Sequence, residues 1–354
     1  MFAVIGIGLL ALILGLARRG ALTMRFVLGW MAVSATLIGV GPISAALDTP
    51  ARRLGITPTG LLLGISTSVV LAIALQLSIS VSGLRATAQD LGEALALRTA
   101  VPRHERRSDV VVVIPALNEA ASIEPVIRQV RALLYDCVVI DDGSTDATAA
   151  LAIDAGATVV SHPRNLGVGA ALRTGFRFAL AHGYRVVVQC DGDGQHHPGE
   201  ISTLLQAIQQ ERADLVIGSR FAPGGSYGGE VSKARSLGIA LLRRSASRAA
   251  RVAILDPTSG FRAISGSLLG AFAESYPTHY LADTHGALLS AARAGYRVCE
   301  VPVSMSPRQG GVASAGPWQS GVFLARAFLL VKLRVTPRIK APTAGSPAAW
   351  TSQD

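Results

Sequence analysis

Five short apolar runs, each closing on polar or turn-forming residues, constrain this chain most: Val110–Ile114, Cys137–Asp141, Thr158–Ser161, Arg185–Cys190 and Leu215–Gly218. Helical patterns separate them, over Ala120–Leu134, Thr145–Ala155, Val168–Ala181 and Pro198–Gln210. The runs are continuously apolar rather than alternating, so they read as strands buried on both faces. Strands of that kind joined by helices predict an α/β domain with a mostly parallel sheet. Ligands in such sheets bind beyond the carboxyl ends of the strands, so the loops after each run carry the chemistry.

The segment ahead of this alternation has a different character. The chain of 354 residues is 50% hydrophobic with a mean hydropathy of +0.42, and the excess lies in the first 85 residues. Phe2–Leu16, Phe26–Leu47 and Thr59–Leu84 read as membrane helices. The first is short, with Arg18 and Arg19 placed to snorkel to headgroups. It reads as a span rather than a signal peptide, because no basic residue precedes the apolar stretch and no small-residue cleavage site stands out. Arg18, Arg19 and Arg25 mark the first loop as cytoplasmic; Arg52 and Arg53, offset by Asp48, mark the second less strongly. Three spans put everything from residue 85 in the cytoplasm, on a multi-pass protein of the cell (inner) membrane. The expected divisions are a transmembrane domain (1–84), a linker (85–108), a catalytic domain (109–317), an interfacial helix (318–334) and a disordered tail (335–354).

The net charge of +10 and pI near 10.2 do not indicate nucleic acid, because only 5% of residues are aromatic and no basic stripe interleaves with them. Anionic headgroups and phosphorylated substrates account for the charge better. Cys137, Cys190 and Cys299 lie far apart in apolar runs and read as buried reduced thiols.

Asp191-Gly192-Asp193-Gly194-Gln195 follows the fourth run. Two carboxylates separated by one residue at a strand end suit a hard divalent cation. Such an ion fills its remaining positions with water and substrate phosphates, which points to a nucleoside diphosphate compound. The first run ends in Pro115-Ala116-Leu117-Asn118-Glu119 and the second in Asp141-Asp142-Gly143-Ser144-Thr145-Asp146. These side chains suit a base and ribose; a turn with a helix cap is the alternative. Asn165-Leu166-Gly167-Val168-Gly169 reads as close packing at a helix start rather than a dinucleotide fingerprint. His196-His197 lacks a nearby cysteine, so zinc is disfavoured.

In this order and spacing, these motifs resemble glycosyltransferase family 2. Gly218-Ser219-Arg220 and Thr258-Ser259-Gly260-Phe261-Arg262 resemble its branch of polyprenyl- and dolichyl-phosphate mannose or glucose synthases. The likeness covers roughly residues 108–315. Trp30, Pro42, Leu54-Gly55-Ile56, Ser78 and Ser82 resemble, more weakly, a three-helix bacterial membrane domain of unknown function.

The resemblance implies a GT-A (Rossmann-like) α/β catalytic domain behind an α-helical transmembrane domain, and inverting hexose transfer with Mg²⁺ or Mn²⁺. By position, Pro115, Asn118, Glu119, Asp141 or Asp142, Asp191 and Gly192 would bind the nucleotide sugar. Asp191, Asp193 and Gln195 would hold the metal. Arg220, Arg235, Ser259, Arg262 and Arg308 would meet phosphates; a solvated or lipid-facing basic helix is the alternative for Arg235. Asp193, Arg220, Arg308 and Asp283 are the candidate catalytic residues, with Asp256 as a second candidate on the acceptor side. The partners expected are a GDP- or UDP-hexose, polyprenyl phosphate and the membrane. A homo-oligomer is compatible with the sequence, although no GxxxG-like face argues for a dimer. Transfer to a glycan hydroxyl, which would require a carboxylate base, and a non-catalytic scaffold are the alternatives.

Overall fold

The computed structural model describes residues 2–18, 28–35, 37–39, 48–100, 108–211, 213–228, 233–277, 283–307 and 339–342. The chain forms two compact units, Met1–Ala88 and Gln89–Asp354.

The first unit is helical. It contains α1 (Phe2–Arg18), α2 (Leu28–Gly39), α3 (Asp48–Arg53) and the start of α4 (Pro58–Thr99). Among the described residues, α4 alone is long and apolar enough to cross a membrane, with an 18-residue window of mean hydropathy 2.1. Its 42 residues extend about 63 Å at the α-helical rise. The apolar parts of α1 and α2 are shorter than the roughly 20 residues a span needs. Among the described residues one helix is therefore of spanning length where the sequence suggests three. Residues 26–27, 36 and 40–47 of the second expected span lie outside the described residues.

Residues 85–99 are not a separate linker; they continue α4. In the second unit the end of this helix is packed rather than exposed. Ala96 joins the core cluster that holds Leu172 and Phe176. Glu93 is fully buried and accepts hydrogen bonds from Arg173 (Nη2, 2.7 Å) and Arg177 (Nη1, 2.9 Å). Arg173 also pairs with Asp90 at 2.6 Å.

The rest of the second unit is the expected α/β alternation. It runs β1 (Val110–Ala116), α5 (Ile123–Ala132), β2 (Asp136–Asp141), α6 (Thr148–Asp154), β3 (Thr158–Ser161), α7 (Val168–Ala181) and β4 (Val186–Gln189). A 3₁₀ turn (Pro198–Glu200) leads into α8 (Ile201–Glu211) and β5 (Leu215–Ser219). Then come β6 (Ser226–Tyr227), α9 (Lys233–Ala250), β7 (Arg262–Ser265), α10 (Gly266–Ser275), α11 (Asp283–Ala294), β8 (Val298–Pro302) and β9 (Ser304–Met305).

The main sheet has the order β3-β2-β1-β4-β7-β5-β8. All neighbours are parallel except β7, which is antiparallel to β4 and β5. β6 and β9 form a separate parallel pair. β1 shows why the runs are continuously apolar. Val111 and Val113 face Leu172, Phe176 and Phe272, while Val110, Val112 and Ile114 face Ile123, Ile127 and Leu204. The strand order reverses direction between β1 and β4, which opens a crevice at their carboxyl ends.

The segment expected as an interfacial helix, 318–334, lies outside the described residues. Part of the expected disordered tail is docked. Ile339 packs against the core, the Tyr296 hydroxyl donates to the Lys340 carbonyl at 3.0 Å, and Lys340 pairs with Glu274 at 2.7 Å.

Candidate active site

The loops after β1 and β2 are laced together. The Asn118 side-chain oxygen accepts the Thr145 N–H at 2.9 Å, and the Asn118 N–H donates to Ser144 Oγ at 3.0 Å. Glu119 N–H donates to Thr148 Oγ1 at 2.8 Å, and Ala120 N–H to Asp146 Oδ2 at 3.2 Å. Asn118 adopts φ 55°, a left-handed geometry that asparagine tolerates. The Glu119 side chain is buried and accepts the Ser122 hydroxyl at 3.1 Å.

The acidic pair after β2 divides its work. Asp141 Oδ1 accepts the Ser144 N–H at 3.0 Å. Asp142 accepts Leu166 N–H and Gly167 N–H, each at 2.8 Å, and bonds His162 Nδ1 at 2.7 Å. His162 Nε2 in turn meets Thr174 Oγ1 at 2.9 Å. The Asp142 carboxylate thus straps the loop before α7 to the end of β2. The strap also explains Gly143: at φ +76°, a Cβ there would fall 2.6 Å from the Arg164 carbonyl carbon. Of the two acids, Asp141 is the better placed to meet a ligand.

Across the crevice, β4 runs into Asp191-Gly192-Asp193. Gly192 lies under the β1 loop: a Cβ there would sit 2.9 Å from Ile123 Cδ1 and 3.9 Å from Glu119 Cβ. Asp193 is 7% exposed and its Oδ1 accepts the Gln195 N–H at 3.0 Å. Asp191 keeps 37% of its side chain exposed. Its backbone N–H donates to His196 Nδ1 at 2.9 Å. His196 is buried and stacks on Phe261, with centroids 5.0 Å apart. Burial pushes its pKa down to about 4. The imidazole is therefore neutral, with Nδ1 as acceptor and the proton on Nε2, and it fixes the backbone from which Asp191 projects. Gly260 closes the other side: a Cβ there would lie 3.0 Å from Asp191 Oδ2.

Asp191 and Asp193 supply hard oxygen donors, the type that suits Mg²⁺ or Mn²⁺. Among the described residues no group of three His, Cys, Asp or Glu forms a self-sufficient metal site. A cation here would complete its shell with substrate oxygens and water.

The far side of the crevice is organised by arginines. Arg220 binds Asp256 through two nitrogens (Nε–Oδ2 2.7 Å, Nη2–Oδ1 2.9 Å). Asp256 is fully buried. Its backbone N–H and that of Leu255 donate to Glu300 at 2.6 and 2.8 Å. Arg262 is buried in the middle of the sheet and donates to the carbonyls of Ser259 (2.8 Å), Thr284 (2.6 Å) and Pro257 (3.1 Å). Burial pushes its pKa down to about 10. Arg262 holds backbone rather than reaching a phosphate, and Asp256 is committed to Arg220 rather than standing as a base. Ser259 is likewise buried, its hydroxyl accepting the Phe261 N–H at 3.2 Å. Pro115 sits near the end of β1. Arg308 and the side chains of Arg235 and Asp283 lie outside the described residues.

Glu300 and Arg243 were not singled out in the sequence. Arg243 Nε donates to the Leu255 carbonyl, and its guanidinium lies 4.9 Å from the Phe221 ring centre. A lone acid in a late strand and one arginine among several on a basic helix carry no local signal.

The model of the family described as "Glycosyl transferase family 2" matches residues 111–270. The polyprenol monophosphomannose synthase of Mycolicibacterium smegmatis is 33% identical over 57% of this chain and 79% of its own length. The undecaprenyl-phosphate mannosyltransferase of Micrococcus luteus is 32% identical over 57% of this chain and 85% of its own length. An uncharacterised Methanocaldococcus jannaschii protein is 36% identical over 32% of this chain, which spans only 47% of that relative. Among solved structures, glucosyl-3-phosphoglycerate synthase from Mycobacterium tuberculosis, in complex with Mn²⁺ and UDP-glucose, matches with a TM-score of 0.50 and 27% identity. That match covers 73% of this chain and 85% of the other.

Proposed function

The chain belongs to glycosyltransferase family 2, and on that premise we propose that it moves a hexose, with inversion, from a GDP- or UDP-sugar to polyprenyl phosphate at the cytoplasmic face of the cell membrane. The observation that carries this reading is the placement of Asp191 and Asp193 in the crevice where the strand order reverses, with Gly260 against the Asp191 carboxylate. The two mannosyl-transferring relatives, whose names specify a polyprenyl carrier, support the acceptor.

Glu119, Asn118, Pro115 and Asp141 border the side of the crevice assigned to the nucleoside. Asp191, Asp193 and Gln195 would hold Mg²⁺ or Mn²⁺, and the ion would stabilise charge on the departing diphosphate. His196 keeps Asp191 in place through the backbone. Arg220, oriented by Asp256, presents a fixed cationic edge. Arg308 and Arg235 are assigned to the diphosphate and the acceptor phosphate, where a planar guanidinium binds oxygens in pairs. A phosphate acceptor is already an anion and needs no base. The commitment of Asp256 to Arg220 favours that acceptor over a glycan hydroxyl, which would leave Asp283 as the base. Anchoring through α4 would hold the site at the depth of the lipid phosphate.

The test uses membranes carrying the chain or Asp193→Ala, supplied with Mg²⁺ or Mn²⁺, polyprenyl phosphate and labelled GDP-mannose or UDP-glucose in separate reactions. Acid-labile label in the lipid extract, absent with Asp193→Ala, is the expected result. Label found only in acid-stable glycan would replace this reading with the hydroxyl acceptor. No transfer from any nucleotide sugar would leave the scaffold reading.

A further inference from the structure

The sheet has a second chemically distinctive end. At the amino ends of β5 and β8, opposite the crevice, a cavity of about 640 Å³ opens between the last turns of α9 and α11. Four arginines line it: Arg248, Arg251, Arg293 and Arg297. All four are exposed, and they come from two helix ends and the turn into a strand. Arg251 follows the end of α9 at φ 58°. Arg293 and Arg297 flank Gly295, where the chain turns at φ +96° before β8.

Helix carboxyl ends favour cations, and one arginine per end would satisfy that preference. Four around one concavity exceed it, and like charges brought together repel. The described acid beside them, Asp214, accepts the Arg297 backbone N–H at 2.9 Å and also interacts with the Arg297 charge, but one carboxylate does not balance Arg248, Arg251 and Arg297 together. The volume is that of a small-molecule site. Guanidinium groups converging from different elements suit an oxyanion, whose oxygens they bind in pairs.

We propose that this cavity binds a phosphate-bearing ligand, at a site separate from the crevice that carries Asp191 and Asp193. The ligand is either a free phosphorylated molecule or a phospholipid headgroup; both present the same oxyanion. Arg248 and Arg297 make the contacts, with the Tyr296 edge and the Cys299 wall closing the cavity.

The test uses the full chain in detergent with Asp193→Ala and excess EDTA, so that the crevice does not retain diphosphates through a cation. Pyrophosphate is the soluble probe and dihexanoyl phosphatidylglycerol the headgroup probe, each titrated by calorimetry at low ionic strength. Saturable binding of one probe per chain is expected, weakened about tenfold or more by the double change R248E/R297E and retained by R248K/R297K. Both changes are at exposed positions, and an unchanged unfolding temperature verifies the fold. With Asp193 intact, R248E/R297E keeps transferase activity. Charge-sensitive binding of pyrophosphate assigns the site to a soluble ligand; charge-sensitive binding of the lipid probe alone assigns it to a headgroup. Absence of saturable binding of either probe, or binding indifferent to R248E/R297E, overturns the proposal.

Discussion

Across β3, β2, β1 and β4 the strand-end loops are held by carboxylate and amide oxygens that accept backbone N–H groups. Asp141 takes Ser144, Asp142 takes Leu166 and Gly167, and Asn118 takes Thr145. Across β7, β5 and β8 guanidinium groups take the larger part, donating to carbonyls and a buried carboxylate, while Glu300 alone repeats the first pattern by accepting two backbone N–H groups. Arg262 serves three carbonyls and Arg220 serves Asp256. The crevice runs along the seam, where β4 leaves through Asp191 and β7 arrives after Gly260. The two solutions differ in tolerance. An amide in place of a carboxylate keeps one acceptor oxygen, whereas no uncharged side chain supplies five donors in a fork. The first half should therefore bend under substitution, and the second should break.

The largest effect is expected at the seam. Asp193→Ala should lower transfer by about 10²–10³ or more while the unfolding temperature stays near that of the parent; equal losses of activity and stability would place Asp193 in the scaffold instead. Next comes Arg262→Met, which strands three buried carbonyls and should cost about 3 kcal/mol or more, read as a fall in the denaturant midpoint. Asp142→Asn should cost less, about 1–2 kcal/mol, because its oxygen still accepts one of the two loop N–H groups. A cost matching that of Arg262→Met would erase the contrast between the halves.

A separate effect is a pH dependence, to which the second half contributes through His285 as the seam does through His196. His285 bonds Ser245 Oγ at 2.9 Å, and its Nδ1 has no partner among the described residues. Burial, with Arg262 and Arg293 adding to it, pushes its pKa from the ordinary 6.5 down to about 3. Between these values the unfolded chain holds the extra proton, so stability is full above 6.5 and falls as the pH drops towards 3. His285→Asn should flatten this part of the profile, measured as the unfolding midpoint against pH.

The same division governs what the sequence discloses. The first-half strands are legible because Val and Ile predominate in them and β1, β2 and β4 are buried on both faces. Val110–Ile114 was expected and Val110–Ala116 is found; Thr158–Ser161 is unchanged. β7 was not foreseen. Phe261-Arg262-Ala263-Ile264 carries a full charge in its middle, and charged residues are rarely buried. The buried charge is tolerated because Arg262 donates to two carbonyls of the turn before it, Pro257 and Ser259, and to that of Thr284 on α11. Asp141 and Asp142 show the limit within a motif. They are equivalent in the sequence, and only the path of the chain to Leu166 shows that one is a strap. Glu300 holds the Asp256 turn across 44 residues, a relation no local pattern encodes.

The burial of Glu93 between Arg173 and Arg177 has a practical consequence for anyone cutting this gene. A soluble fragment begun at the first strand would leave two arginines facing each other with no carboxylate between them, and would remove Ala96 from the core. The shortest self-consistent catalytic fragment begins at or before Gln89. Begun at Gln89, it carries into solution Gln89–Thr99, the end of a helix whose earlier turns are apolar enough to cross a membrane.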